Sequence, residues 1–275
     1  MLTAAQLKSL LAAHQLRLTK RLGQHHLIDA RIINRIIAGC PLSRADTVVE
    51  IGAGLGALTE PLAQRAGRVI AIEVDRRVCA LLQERMALQP NVTVVHEDIL
   101  RWPWERNPGA VVVGAIPYAL TSPIFVRLCE ARREIREAVL LLQQEVAQRL
   151  IARPGTKAYG RLSVLSQHCW DVKTLLAVPR NAFFPPPAVD SVCLRFTPWG
   201  APRVTLRDER FFFELVKAAF GHRRKTLANC LEAAGLIRRA EAETLLCALR
   251  LPPSVRGEAL SLAQFAALAE AMGKK

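Results

Sequence analysis

The chain has 275 residues, 51% of them hydrophobic, so it is too long for a peptide ligand and too apolar to be disordered throughout. Its 38 basic and 24 acidic residues leave a net charge of +14. A protein this basic usually binds a polyanion, although a set of solvated basic helices gives the same balance. The seven cysteines are scattered and form no C-x-x-C pair, which favours free thiols in a reducing cytosol and no metal site. No apolar stretch approaches the roughly 18 residues of a membrane span, so we expect a cytoplasmic protein.

The basic residues are unevenly distributed along the chain. Residues 1–44 carry seven basic and one acidic residue, residues 45–100 carry five and eight, and residues 200–275 carry thirteen and eight. An acidic block therefore lies between basic flanks. We expect the two ends of the chain to contact the polyanion and the acidic block to serve another purpose.

Five short apolar runs rich in β-branched residues recur through the first two-thirds of the chain, and helical patterns separate them. Runs that are apolar on both faces are typical of parallel strands buried between helices, and their alternation with helices predicts a doubly wound α/β sheet. The predicted strands are residues 47–51, 68–73, 92–96, 110–113 and 138–142, and the predicted helices between them are residues 58–66, 76–88 and 123–133.

The pattern changes at a turn-rich stretch, Pro198-Trp199-Gly200-Ala201-Pro202. Beyond it no strand-like run occurs, and glycines and prolines separate four helical patterns. We therefore predict two domains, 1–202 and 203–275, of which the second is small and all-helical. Its predicted helices are residues 211–220, 225–234, 240–249 and 262–272.

A glycine-rich turn follows the first predicted strand and opens a helix. Gly52, Gly54 and Gly56 let the backbone turn tightly and let a ligand approach closely. Glu73 ends the second strand, where an acid can accept hydrogen bonds from both ribose hydroxyls of a nucleoside, and Asp98 follows the third, where it could accept from an adenine amine. The G-x-G-x-G spacing suits a pyrophosphate poorly and suits S-adenosylmethionine, a nucleoside without phosphate. The alternative is a structural turn beside solvated acids.

These elements and several further segments resemble the ribosomal RNA adenine dimethyltransferase family, in particular the bacterial small-subunit enzymes linked to kasugamycin sensitivity. The resemblance runs almost end to end and is carried by the glycine turn, Glu73, Asp98 and the segments Arg21-Leu22-Gly23-Gln24, Ile116-Pro117-Tyr118, Lys157-Ala158-Tyr159-Gly160-Arg161-Leu162-Ser163-Val164, Phe183-Phe184-Pro185-Pro186-Pro187, Val189-Asp190-Ser191, Arg223-Arg224-Lys225-Thr226-Leu227 and Arg256-Gly257-Glu258-Ala259-Leu260-Ser261.

The resemblance implies a Rossmann-like, S-adenosylmethionine-dependent methyltransferase sheet with a small C-terminal helical domain. It implies transfer of methyl groups to N6 of adenosines near the 3′ end of small-subunit ribosomal RNA, by a monomer that acts on an assembling subunit. The residues it places around S-adenosylmethionine are Gln24, His25, Leu27, Gly52, Gly54, Gly56, Glu73, Val74, Asp98, Ile99 and Ala115.

The catalytic loop departs from the family pattern. Family members have Asn-Leu-Pro-Tyr or a close variant where this chain has Ala115-Ile116-Pro117-Tyr118. An exocyclic adenine amine is a poor nucleophile, and the asparagine oxygen with a nearby backbone carbonyl would accept its two hydrogens and aim its lone pair. Ala115 has no side-chain acceptor. Tyr118 and Phe183 are the candidates to stack on the flipped base, although Phe183 could equally be core packing.

Three further departures lie near the cofactor, the base or the RNA. His25-His26 replaces the family's Asn-Phe, and Ala188 and Gln144 each stand where the family usually has lysine. Either histidine could restore an acceptor near the cofactor, or both could be plain surface residues. The changes indicate methyl transfer that is slowed or altered, or a ribosome-assembly or RNA-binding factor that keeps the fold with little or no transfer activity.

Basic clusters near both ends of the chain are the candidate RNA contacts. Clustered guanidinium and ammonium groups contact phosphates and set register without distinguishing bases, although a basic run can also be a solvated face. The predicted RNA-binding residues are Lys20, Arg21, Arg223, Arg224 and Lys225.

Overall fold

The computed structural model describes residues 2–16, 25–117 and 120–273, and within them the chain forms a seven-stranded sheet and a two-stranded one. The larger sheet consists of β2 (Thr47–Ile51), β3 (Arg68–Glu73), β4 (Val92–His96), β5 (Ala110–Ala115), β6 (Ile135–Gln143), β7 (Trp170–Val178) and β9 (Ser191–Pro198). Its spatial order is β4-β3-β2-β5-β6-β9-β7.

The predicted parallel α/β sheet is confirmed. Strands β4, β3, β2, β5 and β6 pair in parallel, and β9 is antiparallel to β6. The first three strands have the predicted bounds, whereas β5 and β6 are longer than predicted. Val111, Val112 and Val113 of β5 are fully buried, as expected for a strand covered by helices on both faces.

Strands β7 and β9 and the small sheet are absent from the sequence interpretation. The small sheet pairs β1 (His26–Leu27) with β8 (Phe183–Phe184). β7 ends the large sheet and contains exposed polar residues such as Lys173 and Thr174, so its composition lacks the two-sided apolar character that marks the inner strands. The two residues of β1 and of β8 are too few to give any periodic pattern.

Helices α1 to α5 lie between these strands or before them. Their bounds are α1 (Ala4–Ala13), α2 (Ala30–Ala38), α3 (Thr59–Ala63), α4 (Arg76–Met86) and α5 (Thr121–Glu130). Asp29 and Asp75 begin α2 and α4 by accepting hydrogen bonds from backbone N–H groups of the first turn. The isoleucines of α2 pack with the sheet valines in one hydrophobic cluster, while α1 packs with α4 in another.

The chain divides into two compact units that differ from the predicted split at residue 202. The first comprises residues 1–147 and 172–198, and the second comprises 148–171 and 199–275. Residues 148–171, which we call the insert, belong to the second unit because α7 (Arg161–Cys169) packs against the C-terminal helices. The Tyr159 hydroxyl also donates to the Leu260 carbonyl at 2.8 Å. Residues 148–171, predicted to belong to the first domain, therefore cluster with the second. α6 (Gln144–Leu150) and β7 each cross between the units.

The second unit is helical beyond Pro198, and its four C-terminal helices match the predicted ones within two residues at each end. They are α8 (Glu209–Ala219), α9 (Leu227–Ala233), α10 (Arg239–Ala248) and α11 (Leu262–Met272). His168 of α7 is buried against the rings of Phe212 and Phe213, and its Nε2 lies 2.5 Å from Glu209 Oε1. This contact fastens the insert to the start of α8.

None of the helices in the described part of the chain is long and apolar enough to cross a membrane. All seven cysteines are free thiols, six of them buried and Cys247 exposed.

Candidate cofactor and catalytic site

The sheet order reverses direction at β2, which pairs with β3 on one side and β5 on the other. In open α/β sheets, ligands bind at the carboxyl ends of the strands at such a switch point, because the connections leave in opposite directions and open a crevice. The glycine turn follows β2 at this place. The fold therefore brings the predicted turn, the end of β3 and the end of β5 to one edge.

The three glycines of the turn adopt backbone conformations that side chains disfavour. Gly52, Gly54 and Gly56 have φ of 68°, 54° and 86°. The N–H groups of Gly52 and Ala53 donate to the Ile72 carbonyl at 3.0 and 3.1 Å. A Cβ atom on Gly52 would lie 3.4 Å from the Ala115 carbonyl oxygen, so the turn runs directly beside the end of β5.

Glu73, at the end of β3, is tied to the glycine turn through its carboxylate. Oε2 accepts from the Gly54 N–H at 2.8 Å, and Oε1 accepts from the Asp75 N–H at 3.0 Å. The side chain is 93% buried, and burial raises the pKa of this carboxyl above its ordinary value. The two carboxylate oxygens have more lone pairs than these N–H donors use, so an acceptor remains for a ligand hydroxyl.

The segments after β3 and β4 form a surface beside Glu73. Val74 is 47% exposed, which is unusual for a large apolar side chain that follows a buried strand. His96 Nε2 lies 3.1 Å from the Val74 carbonyl, and the Asp98 carboxylate accepts from the Leu100 N–H at 3.0 Å. Ile99 is buried. An exposed apolar side chain directly after the Glu73 carboxylate suits a flat nucleoside base and its ribose.

Glu50 lies beneath the turn and is 98% buried. The Thr59 hydroxyl donates to its Oε2 at 2.6 Å. Burial raises the pKa of Glu50 to about 8, and the neighbouring Glu73 carboxylate acts in the same direction. The sequence analysis did not identify Glu50 and Thr59 as a pair. The feature that could have identified Glu50 is an acidic residue inside a buried strand directly before the glycines.

The described part of the catalytic loop starts at the end of β5. Ala115 is half-buried, and the buried Ile116 donates its N–H to the Leu141 carbonyl at 3.2 Å. Pro117 accepts from the Leu120 N–H at 2.9 Å. Tyr118 lies outside the described residues. The loop thus leaves the sheet edge beside the glycine turn, with a methyl group in place of the family's amide.

The segment before α2 meets the same turn from another side. A Cβ atom on Gly54 would lie 3.1 Å from Cε1 of His26, so the imidazole ring packs against the turn. Burial lowers the pKa of His26 to about 4, and His25 adds to the effect. His25 Nδ1 lies 2.7 Å from the Pro185 carbonyl oxygen.

Leu27 and Phe183 face each other in the small sheet and are buried in the main hydrophobic cluster, with 5% and 4% of their surface exposed. For Phe183 this burial favours the core-packing alternative over contact with a base. The predicted residues Lys20, Arg21 and Gln24 lie outside the described residues.

Basic side chains gather within the second unit. Lys157, Arg223, Arg224 and Arg256 line a cavity of about 450 Å³ together with Gly155, Thr156 and a single acid, Glu258. Arg223 Nη2 donates to the Lys157 carbonyl at 2.8 Å, which connects the insert to the predicted basic run. Lys157 and Arg256 were not predicted as RNA contacts. Both lie in segments that resemble the family, and that resemblance could have indicated them.

No group of three or more His, Cys, Asp or Glu side chains suited to a metal ion occurs within residues 2–16, 25–117 and 120–273.

Comparison with known proteins agrees with this geometry. Residues 15–271 match the family profile described as ribosomal RNA adenine dimethylase. Ribosomal RNA small subunit methyltransferase A of Bacillus mycoides is 39% identical over 281 residues, covering 98% of this chain and 96% of that protein. The same-named protein of Bacillus cereus has the same identity and coverage.

Two solved structures share the fold over most of the chain. A dimethyladenosine transferase from Plasmodium falciparum superposes with a TM-score of 0.76 and 27% identity, covering 91% of this chain and 98% of that one. The 23S rRNA methyltransferase ErmE superposes with a TM-score of 0.64 and 28% identity, covering 90% and 100%.

The fold and the switch-point site define a Rossmann-like methyltransferase of the S-adenosylmethionine-dependent class. Within that class, the chain belongs to the ribosomal RNA adenine dimethylase family. The resemblance stated from the sequence is confirmed.

Proposed function

We propose that this protein transfers methyl groups from S-adenosylmethionine to N6 of adenosines in small-subunit ribosomal RNA, and that Ala115 slows the transfer or limits its extent. The observation that carries the proposal is the Glu73 carboxylate, hydrogen-bonded to Gly54 in the same turn whose Gly52 lies beside Ala115. The names of the relatives, which describe ribosomal RNA and dimethyladenosine, support the substrate class.

The cofactor would lie across the carboxyl ends of β2, β3 and β4. Glu73 would hold the ribose hydroxyls, Asp98 the adenine amine, and the exposed Val74 one face of the ring. The positive φ angles of the three glycines would let the backbone turn tightly around the ligand. The full proposed set is Gln24, Leu27, Gly52, Gly54, Gly56, Glu73, Val74, Asp98, Ile99 and Ala115. His25, which the resemblance also placed here, is hydrogen-bonded to the Pro185 carbonyl and is not included. S-adenosylmethionine, when bound, supplies an electrophilic methyl group.

The chain's own contribution to the chemistry is to hold the adenine amine. Its lone pair is delocalised into the ring, and backbone carbonyl acceptors at Ala115 and Ile116 would draw the N–H groups into place so that the lone pair faces the methyl group. Pro117 restricts the loop, and Tyr118 is the proposed aromatic contact to the base, since Phe183 is buried in the core cluster. An amide at position 115 would add one acceptor, and the lack of one costs roughly 1–3 kcal/mol when an amine hydrogen is left unpaired.

Phosphate contacts would come from the basic cavity of the second unit. Four cations around one cavity with one acid give a strongly positive surface, which binds a polyanion without distinguishing its bases. Lys20, Arg21 and Lys225 complete the proposed contacts. Sequence selection would then depend on the shape of an assembled subunit and a splayed loop. We propose a cytoplasmic monomer whose partner is an assembling small ribosomal subunit.

A second function follows from Ala115 itself. Because the loop lacks the family's side-chain acceptor, the protein could serve as a ribosome-assembly or RNA-binding factor that retains the fold and the basic cavity with little transfer activity.

The deciding experiment is mass spectrometry of small-subunit RNA nucleosides from cells with and without this protein. The proposed enzyme predicts mono- or dimethyladenosine that disappears with the gene and returns with the purified protein and S-adenosylmethionine. Unchanged methyladenosine, together with retained binding to the subunit, would favour the assembly factor.

A further inference from the structure

Three consecutive prolines, Pro185 to Pro187, follow the short strand β8. Proline has no backbone N–H, so this stretch can be fastened only through its carbonyl oxygens or by packing. The ladder between β1 and β8 pairs Leu27 with Phe183 and His26 with Phe184. Continuing the hydrogen bonds beyond Phe184 therefore requires a donor other than the proline backbone.

The His25 imidazole supplies that donor. Its Nδ1 lies 2.7 Å from the Pro185 carbonyl oxygen. Because a carbonyl oxygen only accepts, Nδ1 carries the hydrogen, both in the neutral tautomer that forms this bond and in the imidazolium. The side chain thus extends the β1–β8 pairing by one residue, to Pro185.

The other end of the proline segment is hydrogen-bonded at the carboxyl end of β6, the strand that pairs with Ala115. The Gln144 N–H donates to the Asp190 carbonyl at 3.0 Å, and Ser191 pairs with Gln143 of β6. Ala115 pairs with Leu141 of the same strand, two residues earlier. The stretch from Pro185 to Asp190 therefore runs between His25 and the end of β6, the strand that pairs with β5 at Ala115.

The neighbouring histidine completes the connection to the cofactor side. His26 packs against Gly54, whose N–H is bound to Glu73. One peptide bond joins a ring that contacts the glycine turn to a ring that holds the proline segment. The distance between the glycine turn and the proline segment is therefore set by the short side chains of His25 and His26.

We propose that His25 is a positioning residue, which holds the Pro185–Asp190 segment at a defined distance from the glycine turn and thereby aims the target base at the cofactor. The inference rests on the proposed function.

The test compares His25→Ala, His25→Asn and the exposed control His14→Ala. The asparagine amide nitrogen occupies nearly the place of Nδ1 and keeps a donor, whereas alanine removes it. For each purified full-length protein we would measure S-adenosylmethionine affinity by calorimetry, thermal unfolding, and the single-turnover methylation rate on small subunits that lack the modification.

We expect His25→Ala to lower the single-turnover rate about tenfold, the effect of losing one hydrogen bond that orients the base, and to change the cofactor affinity less than about twofold. His25→Asn should retain the rate within about threefold, and His14→Ala should match the native protein. Equal losses in the alanine and asparagine variants, or a cofactor affinity that falls in step with the rate, would overturn the inference.

Two readouts separate this inference from the proposed function. In the first, nitrogen-15 NMR of the histidine rings should show His25 protonated at Nδ1. In the second, a target-loop RNA hairpin carries 2-aminopurine at the target position. The His25→Ala variant should bind this hairpin with unchanged affinity but without the fluorescence change that the native protein produces. If the native protein transfers no methyl group, the proposed function fails, and these readouts still decide the role of His25. An unprotonated Nδ1, or an unaltered fluorescence change in His25→Ala, contradicts it.

Discussion

Gly54 donates its backbone N–H to the Glu73 carboxylate at 2.8 Å, so the glycine turn after β2 and the acid that ends β3 form one hydrogen-bonded unit. The turn therefore does two things. Its positive φ values make room for a ligand, and its amide orients the acid that would bind the ligand's ribose.

Replacing Glu73 should weaken cofactor binding without unfolding the protein. Glu73→Ala removes the proposed acceptor for the ribose hydroxyls, and we expect S-adenosylmethionine affinity to fall by roughly 1.5–3 kcal/mol, the range for a hydrogen bond to a charged group. Isothermal titration calorimetry measures the change. The exposed Glu84→Gln on α4 should bind like the native protein, and no binding by the native protein would remove the cofactor assignment.

A side chain at Gly54 should destabilise the glycine turn. Its φ of 54° costs a non-glycine residue about 1–2 kcal/mol, and the new Cβ would press on the His26 ring at 3.1 Å. Gly109 has a φ of 73° with no atom within 4 Å of a Cβ, so Gly109→Ala isolates the backbone strain. In urea unfolding we expect Gly54→Ala to lose more stability than Gly109→Ala, and to lose cofactor binding as well.

If the His26 contact causes that difference, the double variant Gly54→Ala/His26→Ala should recover part of it relative to His26→Ala alone. Equal destabilisation by the two glycine variants would show that the ring simply moves aside.

Glu50 predicts a pH dependence of stability. Its folded pKa of about 8 lies above the ordinary value of 4.5, so between these values the folded state binds a proton that the unfolded state releases. The free energy of unfolding should then decrease with rising pH by about 1.4 kcal/mol per unit from this group, and level off above pH 8. Glu50→Gln keeps an oxygen acceptor for Thr59 and removes the titration.

Urea unfolding of the native protein and of Glu50→Gln between pH 5 and 9 gives two curves, and their difference reports the titration of Glu50 together with its coupling to Glu73. Parallel curves would show that this carboxyl does not change its pKa on folding.

The basic cavity of the second unit should govern the salt dependence of RNA binding. Reversing Arg223 and Arg224 to glutamate should weaken binding similarly for different RNA sequences and flatten the logarithmic salt slope by about 0.7–0.9 per lost phosphate contact. Filter binding at several salt concentrations measures this slope. Arg210→Glu, at an exposed position on α8, is the control for a charge reversal outside the cavity. An unchanged slope in the double reversal would assign Arg223 and Arg224 to a solvated face.

Ala115 should limit the chemical step. Ala115→Asn adds the missing acceptor, and we expect the methylation rate to increase roughly ten- to a hundredfold, from a 1–3 kcal/mol hydrogen bond felt in the transition state. The native protein should yield mainly monomethyladenosine, because the monomethyl amine has only one hydrogen left to hold it. Labelled cofactor, unmodified small subunits and chromatography of the nucleosides test both points.

Rapid dimethylation by the native protein would mean that another group replaces the acceptor. No gain in Ala115→Asn, with cofactor binding intact, would favour the RNA-binding factor.

The inner sheet and the C-terminal helices could be predicted because their signal is local. Strands buried on both faces must be apolar throughout, and amphipathic helices repeat their apolar residues every turn, so β2, β3 and β4 were predicted with their true bounds. The cofactor edge could be predicted in the same way, because the glycine turn, Glu73 and Asp98 each end or follow a predicted strand. The carboxyl ends of parallel strands lie at one edge of the sheet, so the residues at these ends come together.

Only the tertiary structure decided the contacts between segments that are distant along the chain. Residues 148–171 cluster with the C-terminal helices because α7 and Tyr159 pack there, and nothing in their own composition indicates which unit they join. His25 meets Pro185 across 160 positions, and Arg223 meets Lys157 across 66. Phe183, which the sequence left open between a base contact and the core, is buried in the core cluster. Such long-range contacts cannot be predicted from the local sequence, because the burial and hydrogen bonds that stabilise them exist only once the sheet has formed.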